Sequence, residues 1–169
     1  IVSKTEAERK KALDKLFPYV KKDIKGAIEA MDGFPVVIRL LDPPLHEFVP
    51  RDPAKLEQLA KELNISLDEL SSRAAALHES NPMMGHRGVR LGVTYPEVSA
   101  MQIKAIFEAA AELLQEGKNP YPEIMVPVVC DVKELKDQLA IAQQIYQEVL
   151  TKYGIKKIKH MFGTMIEIP

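Results

Sequence analysis

Apolar positions recur along this chain with two periods. Leu56, Leu59, Ala60 and Leu63 return at three- and four-residue spacing, as do Val98, Met101, Phe107, Ala110 and Leu114. Val132, Leu135, Leu139, Ala142 and Tyr146 form a third such stripe, and all three predict helices with a buried face. Capping signals precede helical runs at Thr5-x-x-Glu8, Ser66-x-x-Glu69, Thr94-x-x-Glu97 and Asp131-x-x-Glu134. Asp52-Pro53 reads as an N-cap followed by proline at the first helical position. Pro18 is expected to end or kink the first helix. A second stretch, from Tyr19 to Met31, sets Ile24, Ala27, Ile28 and Met31 on one face before Asp32-Gly33 stops it. Asn64, Gly117 with Pro120, and Gly154 supply the other stops.

Three short runs lack the helical period. Pro35 to Leu41, Glu123 to Val129 and the stretch HMFGTMIEI from His160 are apolar on both faces and read as buried strands. Each is separated from the next by helix, so the class is α/β with parallel strands covered by helices. A closed (β/α) barrel and an open doubly wound sheet both fit that alternation, and three strands are too few to close a barrel. No internal repeat or low-complexity segment interrupts the pattern.

Composition narrows the function classes. With 169 residues, 46% apolar and 28% charged, the chain can bury one sizeable core. A net charge of −1 provides no global field for nucleic acid, so any anion site must be local. No apolar run approaches a membrane span of roughly 20 residues, and no signal-peptide pattern opens the chain. The one cysteine, Cys130, rules out an internal disulfide and fits a reducing, cytoplasmic setting; it reads as a small buried hydrophobe. A start at Ile1 rather than Met suggests a piece of something longer.

Candidate chemistry gathers where strands end, as it does in both parallel architectures. Arg39 sits in VVIRLLD and Glu167 in TMIEIP. A charge in an apolar strand is costly unless paired or ligated. Structural explanations are an Arg39 salt bridge to Asp42 or to another acid, and a hydrogen bond from Glu167 to a neighbouring loop. A third feature is the stretch NPMMGHRGVR, Asn81 to Arg90, which holds two arginines and no acid. Neither Arg87 nor Arg90 has an acid within the stretch to pair with. Met83 and Met84 are expected to pack under the loop. His46 and His86 lack partners at metal-ligand spacing and are assigned structural roles, His86 through a loop-orienting hydrogen bond. Tyr95 and Tyr153 read as wedges at helix ends. Arginine forks suit phosphate or carboxylate, and a strand-end carboxylate facing such an anion invites Mg²⁺. The residues thus point to an anionic small substrate, of which a phosphorylated one with Mg²⁺ is one case.

PVVIRLLDPPLHEFVP, NPMMGHRGVRLGVTYPE and GTMIEIP, in that order, resemble the pyruvate, phosphate dikinase family of phosphoenolpyruvate-utilising enzymes, in its phosphoenolpyruvate/pyruvate-binding domain. Related phosphoenolpyruvate families share the skeleton R-x-x-D, N-P-x-x-G-x-R and E-I-P. The DPPLHEF and GHRG details resemble the dikinases rather than those relatives. The resemblance covers nearly the whole chain. It implies that residues 1–169 are a single fragment, about the first half of a (β/α)₈ TIM barrel, with the site at the carboxyl ends of its strands.

The reaction so implied interconverts ATP, phosphate and pyruvate with AMP, diphosphate and phosphoenolpyruvate. A swivelling phosphohistidine domain of the same full-length chain carries the phosphoryl group, and the full-length enzyme is expected to be a homodimer. On the matching motifs, Arg39 would bind substrate, Arg87 would lie open at the transferring phosphoryl group, leaving Arg90 to pair with an acid such as Glu97, and Glu167 would ligate Mg²⁺ at the substrate. The phosphohistidine and ATP-grasp domains, a further arginine upstream, and an asparagine, an aspartate and a catalytic cysteine downstream are absent from the 169 residues. The fragment alone is therefore expected to be inactive. The alternatives are a phosphoenolpyruvate synthase-like enzyme and a non-catalytic half-barrel interaction module. Neither nucleic-acid nor membrane binding is expected.

Overall fold

A computed structural model describes residues 3, 5–43, 52–76 and 85–168. Helix α1 (Glu6–Ala30) opens with the expected capping box: Thr5 Oγ1 accepts from Glu8 N at 3.2 Å, and Glu8 Oε2 accepts from Thr5 N at 3.3 Å. Pro18 lies inside this helix and does not end it. The proline's missing donor costs about 3 kcal/mol, and it is offset by contacts made along the whole length of a partner helix. Strand β1 (Pro35–Arg39) follows. Next come α2 (Pro53–Leu63), capped by Asp52 and closed by left-handed Asn64, and α3 (Leu67–Ala76). A six-residue helix, α4 (Val89–Thr94), leads directly into α5 (Pro96–Gln115). Strand β2 (Tyr121–Val126), α6 (Val132–Tyr153) and β3 (Met161–Thr164) complete the order.

The strands form one parallel sheet in sequence order, β1-β2-β3. Val37 pairs with Glu123 and Glu123 with Met161; Arg39 pairs with Met125 and Met125 with Gly163. Since side chains alternate along a strand, this register divides the sheet into two unlike faces. Ile38, Leu40, Ile124, Val126 and Phe162 pack with Ile103, Ile106 and Phe107 of α5 and with Ala142, Ile145 and Val149 of α6. On the other face Val37 is 56% exposed, Met161 54%, and Arg39 is also exposed. The expectation of strands buried on both faces therefore needs correction. The first strand alternates, and among the described residues helices cover only one side.

Helix α5 is the centre of the core. Fourteen of its twenty residues are buried, far more than one stripe. It faces the sheet on one side, α1 on another and α6 on a third, so an apolar surface all round is what its position requires. Towards α1 the contact is ionic. Lys21 Nζ lies 2.7 Å from Glu112 and 3.5 Å from Glu108, and Lys25 Nζ lies 3.2 Å from Glu112 and 2.6 Å from Glu116. Tyr153, expected as a wedge, donates its hydroxyl to Glu108 and Glu112 at 3.3 and 3.2 Å. Burial and the two carboxylates push that phenol well above its usual range.

Other expectations shift for local reasons. The Thr94 capping box does not form: Tyr95 occupies the N-cap of α5 without a side-chain cap, and Thr94 bonds back to Arg90 O at 3.0 Å within α4. The buried stripe of α6 runs through Gln138, Ala142, Ile145 and Val149, while Val132 is 68% exposed. Cys130 is exposed rather than buried, because it directly precedes the N-cap Asp131. No described helix is long and apolar enough to cross a membrane.

Two stability outcomes follow. Phe107 is 1% exposed between sheet and α6, so Phe107→Ala should cost about 3–5 kcal/mol in denaturant unfolding. Burial pushes the Glu112 carboxyl up, but the hydrogen bonds and charges of Lys21 and Lys25 outweigh it and hold the group below its ordinary value of 4.5. A depressed carboxyl contributes stability above its unfolded pKa and loses it as pH falls through the folded one. The stability gap between wild type and Glu112→Gln should therefore shrink between about pH 5 and pH 3, read by thermal melts across that range.

Candidate functional site: the carboxyl edge of the sheet

All three strands leave the sheet at one edge, and three short segments are stitched together there. After β1, Leu40 N continues the ladder to Met125 O at 2.9 Å. Gln102 of α5 brackets the same turn, accepting from Leu41 N at 2.7 Å and donating to Arg39 O at 3.1 Å. Asp42 follows with a carboxylate only 4% accessible.

That carboxylate receives the fork of Arg87. Nε donates to Oδ1 at 2.6 Å and Nη2 to Oδ2 at 2.7 Å, with a longer contact from Nη2 to the Asp42 carbonyl at 3.4 Å. Two parallel N–H···O bonds fix the guanidinium in one plane as well as holding its charge. The expectation that Arg87 lies open is thus corrected: it has a protein partner, supplied by the R-x-x-D strand rather than by its own loop. Asp42 was considered as the partner of Arg39, and Arg87 takes that place.

Arg39 has the opposite fate. It ends β1 on the open face, with Met125 and Gly163 beside it in register. Among the described residues its guanidinium has no hydrogen-bond or ion-pair partner. Over Gly163 no atom of the described residues lies within 4 Å of where a Cβ would stand.

The second segment is the loop entering α4. Gly85 O accepts from Arg87 N at 3.0 Å and from Arg90 Nη1 at 3.1 Å. Arg90 therefore does not pair with Glu97, which is bonded to Arg9 of α1 instead. His86 shows no orienting hydrogen bond: its Nε2 is buried without a partner, and the ring lies against Tyr95 at 5.6 Å. Tyr95 in turn stacks under the Arg9 guanidinium at 4.2 Å. Met83, Met84 and His46 lie outside the described residues.

Gly88 is where the loop meets the end of β2. Its φ of +56° and ψ of −134° suit glycine. A Cβ there would stand 2.7 Å from Val128 Cγ2 and 2.9 Å from Pro127 O. The same Pro127 carbonyl accepts from Val89 N at 3.0 Å.

Val128 carries the third segment. It has φ +64°, a left-handed conformation that costs a β-branched residue of order 1–3 kcal/mol. Its N–H donates to Glu167 Oε1 at 2.8 Å. Glu167 lies three residues beyond β3 rather than inside a strand, and it is exposed. The hydrogen bond to a neighbouring loop, weighed from sequence as the structural alternative for this residue, is present, while Oε2 carries no hydrogen bond among the described residues. No group of three or more His, Cys, Asp or Glu residues that could hold a metal occurs among the described residues. Besides the buried Asp42 carboxylate, which Arg87 occupies, the described residues offer one exposed carboxylate at this edge, with one oxygen oriented by the backbone. Sequence reasoning missed Gln102 and Val128. A polar residue on the buried side of α5 was the available signal for the first, and nothing in the sequence marks the second.

The edge so built combines one open arginine, one braced arginine and one oriented carboxylate. The family model for PEP-utilising enzyme, PEP-binding domain, matches residues 3–169. The chain belongs to the PEP-utilising enzymes, through their PEP-binding domain. Among similar proteins, pyruvate, phosphate dikinase of Mesembryanthemum crystallinum (chloroplastic) is 46% identical over 173 residues, covering 100% of this chain and 18% of that protein. Pyruvate, phosphate dikinase 1 of Oryza sativa subsp. japonica (chloroplastic) is 48% identical over 163 residues, covering 95% and 17%. The dikinase of Clostridium symbiosum is 44% identical over 170 residues, covering 100% and 19%. The chain thus spans about a fifth of the length of these relatives. In this PEP-binding domain the described Arg87–Asp42 pair is a structural unit. Asp42→Ala, which leaves a mostly buried guanidinium uncompensated, should cost about 3 kcal/mol. In a double-mutant cycle with Arg87→Met the two losses should fall short of additivity by about 1–3 kcal/mol, measured by chemical denaturation.

Proposed function

We propose that this chain forms the opening part of a (β/α)₈ barrel that binds pyruvate and phosphoenolpyruvate. It would act in an enzyme interconverting ATP, phosphate and pyruvate with AMP, diphosphate and phosphoenolpyruvate. The barrel reading is supported by the topology: parallel strands in sequence order with helices on one face is the arrangement of a barrel wall. The uncovered face would then line the barrel interior, closed by strands outside these 169 residues. The observation that carries the functional reading is Arg39. Exposed and without a partner among the described residues, its guanidinium ends an apolar strand at the edge where Arg87 is bonded to Asp42, Gly88 sits against Val128, and Val128 is bonded to Glu167.

In this reading Arg39 binds the anionic substrate, its fork matched to carboxylate or phosphate. Arg87 lies at the phosphoryl group in transfer, and Asp42 holds its guanidinium in place before substrate arrives. Pre-oriented charge of this kind is what phosphoryl transfer draws on, since positioning and neutralisation supply most of the rate. Glu167 suits Mg²⁺, which takes one or two protein carboxylates together with substrate oxygens and water, and Val128 N–H fixes the orientation of that carboxylate. The bound ion would supply Lewis-acid stabilisation of the enolate oxygen of pyruvate. The phosphoryl group passes between that oxygen and a phosphohistidine on a swivelling domain of the same full-length chain, and the full-length protein is a homodimer.

In the full-length protein, Arg39→Leu or Glu167→Ala should lower phosphoenolpyruvate formation from pyruvate by at least about a hundredfold. ATP-dependent phosphorylation of the carrier histidine should persist in both. Unimpaired phosphoenolpyruvate formation in either variant would overturn the assignment.

A further inference from the structure

Gln102 is 7% exposed, on the sheet-facing helix α5, and its amide is spent entirely on the backbone of the β1 exit. The two groups it binds, Arg39 C=O and Leu41 N–H, flank Leu40, whose own N–H points the other way, to Met125 O. In a parallel sheet, one residue of a neighbouring strand donates to the carbonyl before its partner and accepts from the amide after it. Gln102 reproduces that pattern with a side chain. It stands in for a strand residue on the side of β1 away from β2. Residues 39 to 41 are thereby held on both sides at the point where the ladder ends.

Both site arginines depend on this stretch. Arg39 is its first residue, and Asp42, which follows it, carries the Arg87 fork. We propose that Gln102 is a positioning residue for the anion site, setting Arg39 directly and Arg87 through Asp42. The inference rests on the pyruvate/phosphoenolpyruvate reading given above. Without the Gln102 amide, two backbone polar groups would face the α5 surface unsatisfied, and the strand exit would shift to find other partners. A shift of about 1 Å in a substrate-binding group can cost up to about a hundredfold in rate or affinity.

The test uses the full-length protein with Gln102→Met, which keeps the side-chain length and removes both hydrogen bonds. Gln138→Leu serves as the control. Gln138 is a second buried glutamine, 1% exposed on α6, whose Nε2 has no partner and which lies against Gly92 rather than the strand exit. Phosphoenolpyruvate-dependent phosphorylation of the carrier histidine is followed against phosphoenolpyruvate concentration. For Gln102→Met the KM for phosphoenolpyruvate should rise at least about tenfold through Arg39, and kcat should fall as the Arg87 fork shifts with Asp42. ATP-dependent histidine phosphorylation should be unchanged, and Gln138→Leu should leave the KM in place. An unchanged KM in Gln102→Met, or an equal rise in Gln138→Leu, would overturn the proposal. Should Gln102→Met fail to fold, Gln102→Glu, which keeps the acceptor and loses the donor to Arg39 O, is read by the same criteria. A wild-type protein inert towards phosphoenolpyruvate would instead refute the functional reading on which this one rests.

Discussion

The burial of α5 constrains everything else in this molecule. A helix with fourteen of twenty residues inaccessible must be surrounded, and sheet, α1 and α6 are what surround it. Its small residues, Ala105, Ala109, Ala110 and Ala111, are all fully buried and let neighbouring elements approach closely. Its polar residues are placed where an apolar contact would not serve. Glu108 and Glu112 meet the lysines of α1 and the Tyr153 hydroxyl, and Gln102 meets the end of β1. One helix therefore sets the sheet's covered face, the seat of the N-terminal helix, and the point at which the first strand ends.

From that constraint the site follows by short steps. Because α5 and α6 occupy one face, the strand-end groups on the other face have no helix against them among the described residues. Because Gln102 closes β1 at Leu41, Asp42 leaves the sheet next to the loop that carries Arg87. The Arg87–Asp42 fork then joins the first strand to that loop, and Gly88 against Val128 joins the loop to the second strand. Glu167 joins the second strand to the third. Each link joins one pair of residues at short range, so the Arg87 and Glu167 side chains are held by their partners rather than left free.

Much of this was legible in the residues. Helix starts with complete caps, such as Thr5-x-x-Glu8 and Asp131-x-x-Glu134, form as read, since their information is local. Arg39 and Glu167 stood out because charges in apolar strands demand an explanation. What failed was non-local. Thr94-x-x-Glu97 has the same local signature as the other caps, yet Arg9, far away in sequence, takes the glutamate and α4 takes the threonine. The face of α6 was misplaced only in part: Leu135, Ala142 and Tyr146 pack inward as read, but Val132 and Leu139 are exposed, and the buried stripe includes Gln138, which a hydropathy pattern counts as surface. Arg87 looked unpaired because its acid lies 45 positions away, across two helices.

The two arginines show why pairing cannot be read from composition. Asp42 stands three residues from Arg39 and 45 from Arg87, so proximity in sequence favours the wrong partner. In a strand, however, residues an odd number apart lie on opposite faces. Arg39 turns to the open face of the sheet, while Asp42 lies beyond the last ladder bond of the strand, made by Leu40. Arg87 approaches from the loop, where its backbone is fixed by Gly85 and Gly88, and so meets the carboxylate with two hydrogen bonds already aligned. Strand geometry thus separates the arginine that braces the edge from the one that has no partner among the described residues.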